Sequence, residues 1–262
     1  MKNSLVSLQI ADAEAKLRIE REESLNALNV EVLEGLKTHL IALAKLPFSE
    51  CRVVSISSAG DRAFVAGADI KCMLGASPSD LHYFIALGQD VTRQLERLPV
   101  PVIAVVNGYA IGGGLELALA CDMILATTTA KLGQAEVNLG LIPGFGGTQR
   151  LPLRVGIGAA KRLILTAETI SSSEAYRLGL VDWLVEPTEL QKKLGEIVEN
   201  LKTKAPLALK AAKRSIENLY FAQKTAGLSQ EVEEFVQLFK YNDTREGLGA
   251  FVEKRKPTFK GC

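Results

Sequence analysis

The chain has 262 residues, 47% of them hydrophobic, enough apolar side chain to fill one large core or two small ones. Its 31 Lys and Arg nearly cancel 30 Asp and Glu, leaving a formal net charge of +1. No general electrostatic pull toward nucleic acid or an anionic membrane is therefore expected, and any anionic partner must be met by a local patch.

The cysteines Cys51, Cys72, Cys121 and Cys262 share no C-x-x-C spacing, and only His39 and His82 could join them as ligands. They read as reduced thiols behaving as small apolar residues, with no metal site. The segment MKNSLVSLQI lacks the apolar stretch of a signal peptide, and no later run approaches the ~20 apolar residues of a membrane span. A cytoplasmic protein is expected, with neither nucleic acid nor membrane among its partners.

Leu5–Ile10 and Ala15–Glu20 read as the strands of a hairpin around the polar Ala11–Glu14. After Asn29, a candidate N-cap, Val32, Leu33, Leu36, Leu40, Ile41 and Leu43 recur at helical spacing, predicting a helix to about Lys45 before Pro47. Val53–Ser57 and Val102–Val106 are β-branched runs suited to strands inside a sheet. Between them, Ser58–Asp69 reads as a loop, followed by a helix from about Ser79 to Leu98. Next come a turn at Asn107–Gly114, helical Leu115–Ala120, strand Met123–Thr127 and strand-like Ala130–Leu132. Strands alternating with helices indicate an α/β fold. Past Gly144 the pattern is almost wholly helical, with breaks expected near Pro152, Gly156, Pro187, Pro206 and Gly227 and one short strand at Val181–Val185. The expected division is an α/β core over 1–190 and a helical region over 191–262, without a Gly/Ser-rich or Pro-rich linker between them.

The segment NGYAIGGGLE, Asn107–Glu116, sits between a predicted strand and a predicted helix. As a dinucleotide fingerprint it fails, because Leu117 stands where the third glycine belongs; as a P-loop it fails for want of a Lys-Ser/Thr pair. Two readings remain open: glycines that allow tight helix–strand packing, or exposed N–H groups that donate to an oxyanion. A second small-residue loop, FVAGADIK at Phe64–Lys71, follows the strand at Val53–Ser57, with Asp69 as a cap. The carboxyl ends of parallel strands share one sheet edge, so the two loops can converge there and form an oxyanion hole.

Glu116, opening an otherwise apolar helix, is either a first-turn charge in water or a buried acid with a task. Glu136, in GQAEVNLGLIPGFGGTQR, is alone an ordinary loop acid. Together, two carboxyls beside one oxyanion hole can hold a water and act as base and acid in one step.

The segments AFVAGADIK, IAVVNGYAIGGGLELALACD and KLGQAEVNLGLIPGFGGTQRL resemble the diagnostic segments of the crotonase (enoyl-CoA hydratase/isomerase) superfamily, and AFVEKRKPTFK is similar to the tail of its hydratases. The resemblance implies a crotonase-like spiral of ββα units with a helical C-terminal trimerisation region. It implies a homotrimer or dimer of trimers acting on an acyl-CoA thioester, with no cofactor because coenzyme A is part of the substrate. Ala68 and Gly113 would supply the N–H groups that bind the thioester oxygen, Glu116 would act as base on water, and Glu136 would deliver a proton to the α-carbon. Ser24, Leu25, Ala66, Ala68 and Ile70 would line the coenzyme A path, with Lys71 near the nucleotide. Many relatives carry a proline and a basic residue before LNAL; Glu23 in REESLNALN is expected to weaken contact with the anionic nucleotide.

With both acids in place, the resemblance favours enoyl-CoA hydration over the alternatives, a Δ3–Δ2 enoyl-CoA isomerase or a non-catalytic acyl-CoA- or RNA-binding member of the fold. Fatty-acid oxidation, amino-acid breakdown and polyester precursor supply all use this chemistry. The basic cluster Lys254, Arg255, Lys256 and Lys260 is either a solvated helix end or a patch for coenzyme A phosphates. Phe235, Leu238, Phe239 and Tyr241 read as core or subunit interface.

Overall fold

The structure, a computed structural model, describes residues 5–261, apart from the side chains of residues 220–222. Cys262 therefore lies outside the described residues. The chain opens with the antiparallel pair β1 (Val6–Ala11) and β2 (Glu14–Ile19), then α1 (Val30–Leu43). The Asn29 side chain accepts the Val32 N–H at 2.8 Å and caps α1, whose Val32, Leu33, Leu36, Leu40 and Leu43 are buried.

Three ββα units follow: β3 (Val53–Ser58), β4 (Ala63–Val65) and α2 (Pro78–Arg97); β5 (Val102–Val106), β6 (Tyr109–Ile111) and α3 (Gly113–Leu119); β7 (Met123–Thr127), β8 (Lys131–Gly133) and α4 (Gly147–Thr166). In each unit the first strand joins one sheet and the second joins another. The larger sheet runs β1-β2-β3-β5-β7-β10, and the smaller runs β4-β6-β8-β9, where β9 is Thr169–Ser171 and β10 is Trp183–Val185. Beyond β9 come α5 (Ser172–Arg177), α6 (Leu190–Lys202), α7 (Pro206–Glu217), α8 (Phe221–Leu238) and α9 (Asn242–Val252).

Side-chain alternation explains why the inner strands read as continuous apolar runs. Val54, Ile56, Val102, Ala104, Val106, Ile124 and Ala126 face the main core. Val53, Ile103, Val105 and Leu125 face the opposite way, under Leu190, Leu194, Ile197 and Val198 of α6. Each Val, Ile or Leu among them contributes roughly 1.5–3 kcal/mol when fully buried.

The structure differs from the sequence reading at several points. The expected loop Ser58–Asp69 contains β4, and the expected turn Asn107–Gly114 contains β6; β9 also lay outside the reading. The converging strand ends accordingly belong to β4, β6 and β8 of the smaller sheet, which run parallel, rather than to β3 and β5. α4 continues through Pro152 although the proline cannot donate to the Thr148 carbonyl; the break falls at Gly156, with φ 79° and ψ 156°. Gly227 lies inside α8, where a Cβ would collide with the Gln149 side chain, so its role is a close helix crossing.

Asn26 ties the early turn to the first ββα unit. It is buried with φ 58°, a left-handed conformation that Asn tolerates, and its Nδ2 donates to Ala59 O and Ala63 O, both at 2.9 Å. Its Oδ1 accepts the Arg21 N–H at 3.1 Å. Asn26→Asp would turn the donor into a carboxylate facing two buried carbonyls, and should cost about 3 kcal/mol. Urea unfolding checks this: the midpoint should fall, and a wild-type midpoint would remove Asn26 from the framework.

Candidate active site

One cavity of about 720 Å³ gathers the residues singled out in the sequence: Ser24, Leu25, Ala66, Ala68, Ile70, Lys71, Gly113, Glu116 and Glu136 all line it. Its walls come from the ends of β4, β6 and β8 and from the early turn, with Phe235 of α8 and Phe251 and Val252 of α9 closing it.

Leu28 and Ala68 form an isolated parallel bridge, in which the Leu28 N–H donates to Gly67 O at 2.9 Å and Leu28 O accepts the Asp69 N–H at 2.8 Å. That pairing passes over the Ala68 N–H, which has no acceptor among the described residues. Arg21 pins the same loop, its Nη2 donating to Asp69 Oδ2 at 2.7 Å and its Nη1 to Ala27 O at 2.9 Å. Gly113 begins α3, so its N–H has no intrahelical partner. A Cβ on Gly113 would stand 3.5 Å from the Ala68 nitrogen, which brings the two loops together.

Of the two readings left open by the sequence, close packing is seen directly at the glycine turn. Gly114 packs: a Cβ there would overlap the Val65 carbonyl of β4. Gly112 has φ 54° and ψ −125°, and a Cβ on it would lie 2.9 Å from Glu136 Oε1. A side chain there would be strained and would push on the carboxyl.

Glu116 is 1% exposed, a buried acid rather than a helix-end charge in water. Its Oε1 accepts the Phe145 N–H at 2.8 Å and the Gly147 N–H at 2.7 Å. Burial holds its pKa well above the ordinary range, the negative fields of Glu136 and Glu231 push the same way, and the two N–H groups oppose them. Glu136 opens the 3₁₀ turn Glu136–Leu139, half-buried at the cavity wall, and burial pushes its pKa up to about 8. The buried Gln134 amide faces this carboxyl at 3.0 and 3.1 Å. An amide can accept the proton of the neutral acid through its oxygen or donate to the carboxylate through its nitrogen.

Two residues escaped the sequence reading, Arg62 and Glu231. Arg62 joins Lys71 and Lys254 as an exposed cation at the cavity. The C-terminal basic cluster divides, since Lys254 lines the cavity while Arg255 is engaged by Glu246 at 2.6 and 2.8 Å and by Glu253. Glu23 also lines the cavity. Glu231 of α8 is 3% exposed and holds the loop next to Glu116. Leu228, Glu231 and Phe235 share helical spacing and burial; a glutamate on the apolar stripe of an amphipathic helix was the available signal.

A spiral of ββα units with two carboxyls and two unengaged N–H donors around one cavity defines a crotonase-like protein. The chain belongs to the enoyl-CoA hydratase/isomerase family, whose pattern matches residues 9–262. It is 43% identical over 245 residues to a crotonyl-CoA hydratase of Syntrophomonas wolfei, covering 94% of each chain. It is also 43% identical over 242 residues to a short-chain-enoyl-CoA hydratase of Clostridium acetobutylicum, covering 92% of each. Among solved structures, an enoyl-CoA hydratase from Mycobacterium avium subsp. paratuberculosis superposes with TM-score 0.89 at 29% identity, covering 98% of both chains. One from Bacillus anthracis gives 0.79 at 38% identity, over 98% of this chain and 100% of that one.

The raised carboxyl has a measurable consequence for stability. Between 4.5 and about 8 the folded protein retains a proton on Glu136 that the unfolded chain releases, so stability falls as pH rises through that window. Glu136→Gln lacks this loss. Its Tm should exceed the wild-type value near the upper end of the window and converge on it near the lower end; a pH-independent Tm difference would contradict the perturbed carboxyl.

Proposed function

We propose that the protein adds water reversibly, with syn stereochemistry, across the double bond of trans-2-enoyl-CoA to give 3-hydroxyacyl-CoA, with short acyl chains preferred. The observation that carries this reading is the meeting of two acids and two N–H donors in one cavity. The thioester oxygen accepts hydrogen bonds from Ala68 and Gly113, which stabilise the enolate charge as it develops. A water held between the carboxyls loses a proton to Glu116 as its oxygen bonds to C3, and Glu136 gives a proton to C2.

The division of labour follows from which carboxyl is better served by donors. Two interacting acids titrate as a pair, and the charge settles where hydrogen bonds meet it. Glu116 Oε1 receives the Phe145 and Gly147 N–H groups, which favour its charged form, while burial raises the pKa of both acids. On the strength of those two donors we assign Glu116 as the base and Glu136 as the acid.

Ser24, Leu25, Ala66 and Ile70 follow the coenzyme A path, and the cations Arg62, Lys71 and Lys254 suit its phosphates. Coenzyme A arrives as part of the substrate, so no separate cofactor is required. Two observations support short chains: the relatives named for crotonyl and short-chain substrates, and the bulky buried side chains of Ile85, Phe145 and Phe235 in the cavity lining. Assembly as a trimer or dimer of trimers is supported by exposed apolar side chains on α4 and α7, among them Ile157 at 67%, Leu165 at 70% and Ile216 at 71%.

Crotonyl-CoA should lose its conjugated enoyl-thioester absorbance on addition of the protein, and turnover should decline along a series of lengthening trans-2-enoyl chains. Folded protein that leaves the absorbance unchanged contradicts hydration. Glu116→Gln and Glu136→Gln should each lower kcat by about 10²–10⁴-fold; a near-normal rate in either would remove that residue from the mechanism.

A further inference from the structure

Glu231 is a buried acid that the proposed reaction does not use. It sits on α8, 3% exposed, and is absent from the lining of the cavity. Its Oε1 accepts the Gly146 N–H at 2.6 Å and Gln89 Nε2 at 3.2 Å; its Oε2 accepts the Thr148 N–H at 2.9 Å and the Thr148 hydroxyl. All four partners are donors, the pattern an ionised carboxylate accepts.

The order of these donors along the chain is informative. The N–H groups of Phe145 and Gly147 go to Glu116, and those of Gly146 and Thr148 go to Glu231. Four successive peptide groups at the start of α4 thus alternate between two carboxyls on opposite sides of the strand of backbone. The Phe145 carbonyl is held as well, by Arg150 Nη1 at 2.8 Å and the Thr92 hydroxyl at 3.1 Å. Arg150 in turn pairs with Glu96 at 2.8 and 3.1 Å. Releasing Glu231 leaves the peptide groups on one side of the loop without a partner and lets the loop rotate, which moves the two that fix Glu116.

We propose that Glu231 is a positioning residue, whose carboxylate holds the loop Phe145–Thr148 in the one orientation that aims Glu116 at the water. This rests on the hydratase reading for its effect on rate, though not for its effect on the loop. Glu231→Gln keeps the shape but sets an amide N–H₂ against the donors of Thr148. Misplacing Glu116 should lower kcat on the order of 10–100-fold, with KM within about twofold because Glu231 does not line the binding cavity.

Two readouts on the full-length protein test this together: crotonyl-CoA kinetics, and amide hydrogen exchange of peptides covering residues 145–148. The expected result is a fall in kcat at constant KM, with faster exchange in Glu231→Gln. Unchanged kcat, a loss confined to KM, or a fall in kcat without faster exchange would each overturn the proposal. If Glu231→Gln does not fold, Thr148→Val and Thr148→Ser decide: the valine, lacking the hydroxyl donor, should lose rate and exchange faster, while the serine stays near wild type. Equal behaviour of the two overturns it. Wild-type protein that fails to hydrate crotonyl-CoA counts against the hydratase reading alone, and the exchange comparison still decides the role of Glu231.

Discussion

Four consecutive backbone N–H groups, those of Phe145 through Thr148, make the buried acids of this protein possible. Taking a carboxylate out of water costs several kcal/mol even after relaxation, and a hydrogen bond to a charged group returns roughly 1.5–3 kcal/mol. Glu116 receives two of these groups and Glu231 the other two. The donors come from the entry to α4, where the first N–H groups of a helix lack intrahelical partners. A backbone need at one place and a charge need at another meet in one loop, and the missing side chain of Gly147, whose Cβ would stand 2.9 Å from Glu116 Oε1, lets that carboxyl approach.

The smaller sheet supplies the second constraint. Because β4, β6 and β8 are parallel neighbours, their carboxyl ends deliver Ala68, Gly113 and Glu136 to one edge. Each ββα unit thus contributes to the site, the second giving both Gly113 and Glu116, while the larger sheet, apolar on both faces, carries the units. The helices after β10 complete the arrangement: α6 covers the outer face of the larger sheet, and α8 brings Phe235 to the cavity and Glu231 to the loop behind Glu116.

The parts of this architecture legible in the sequence were those long enough to show a period. α1 announced itself through five buried residues at helical spacing behind an Asn cap, and β5 and β7 through apolar runs matching the observed strands. β4, β6 and β9 have three residues each, too few for alternation to register, and Tyr109 in β6 is exposed. Glu116 and Glu136 were visible only as a pair beside glycine turns, and the family resemblance gave them roles. Glu231 stayed hidden because its partners lie more than eighty positions away, at Gly146 and Thr148. What contact order separates, periodicity cannot join.

The proposed chemistry asks two acids on one side of a substrate to act on the same water. Hydration of crotonyl-CoA in deuterium oxide, followed by NMR of the product, tests this most directly. The account predicts 3-hydroxybutyryl-CoA carrying one deuterium at C2, on the face that received the hydroxyl. Deuterium delivered to the opposite face, or incorporated into the substrate's carbons without addition of a hydroxyl, would contradict it.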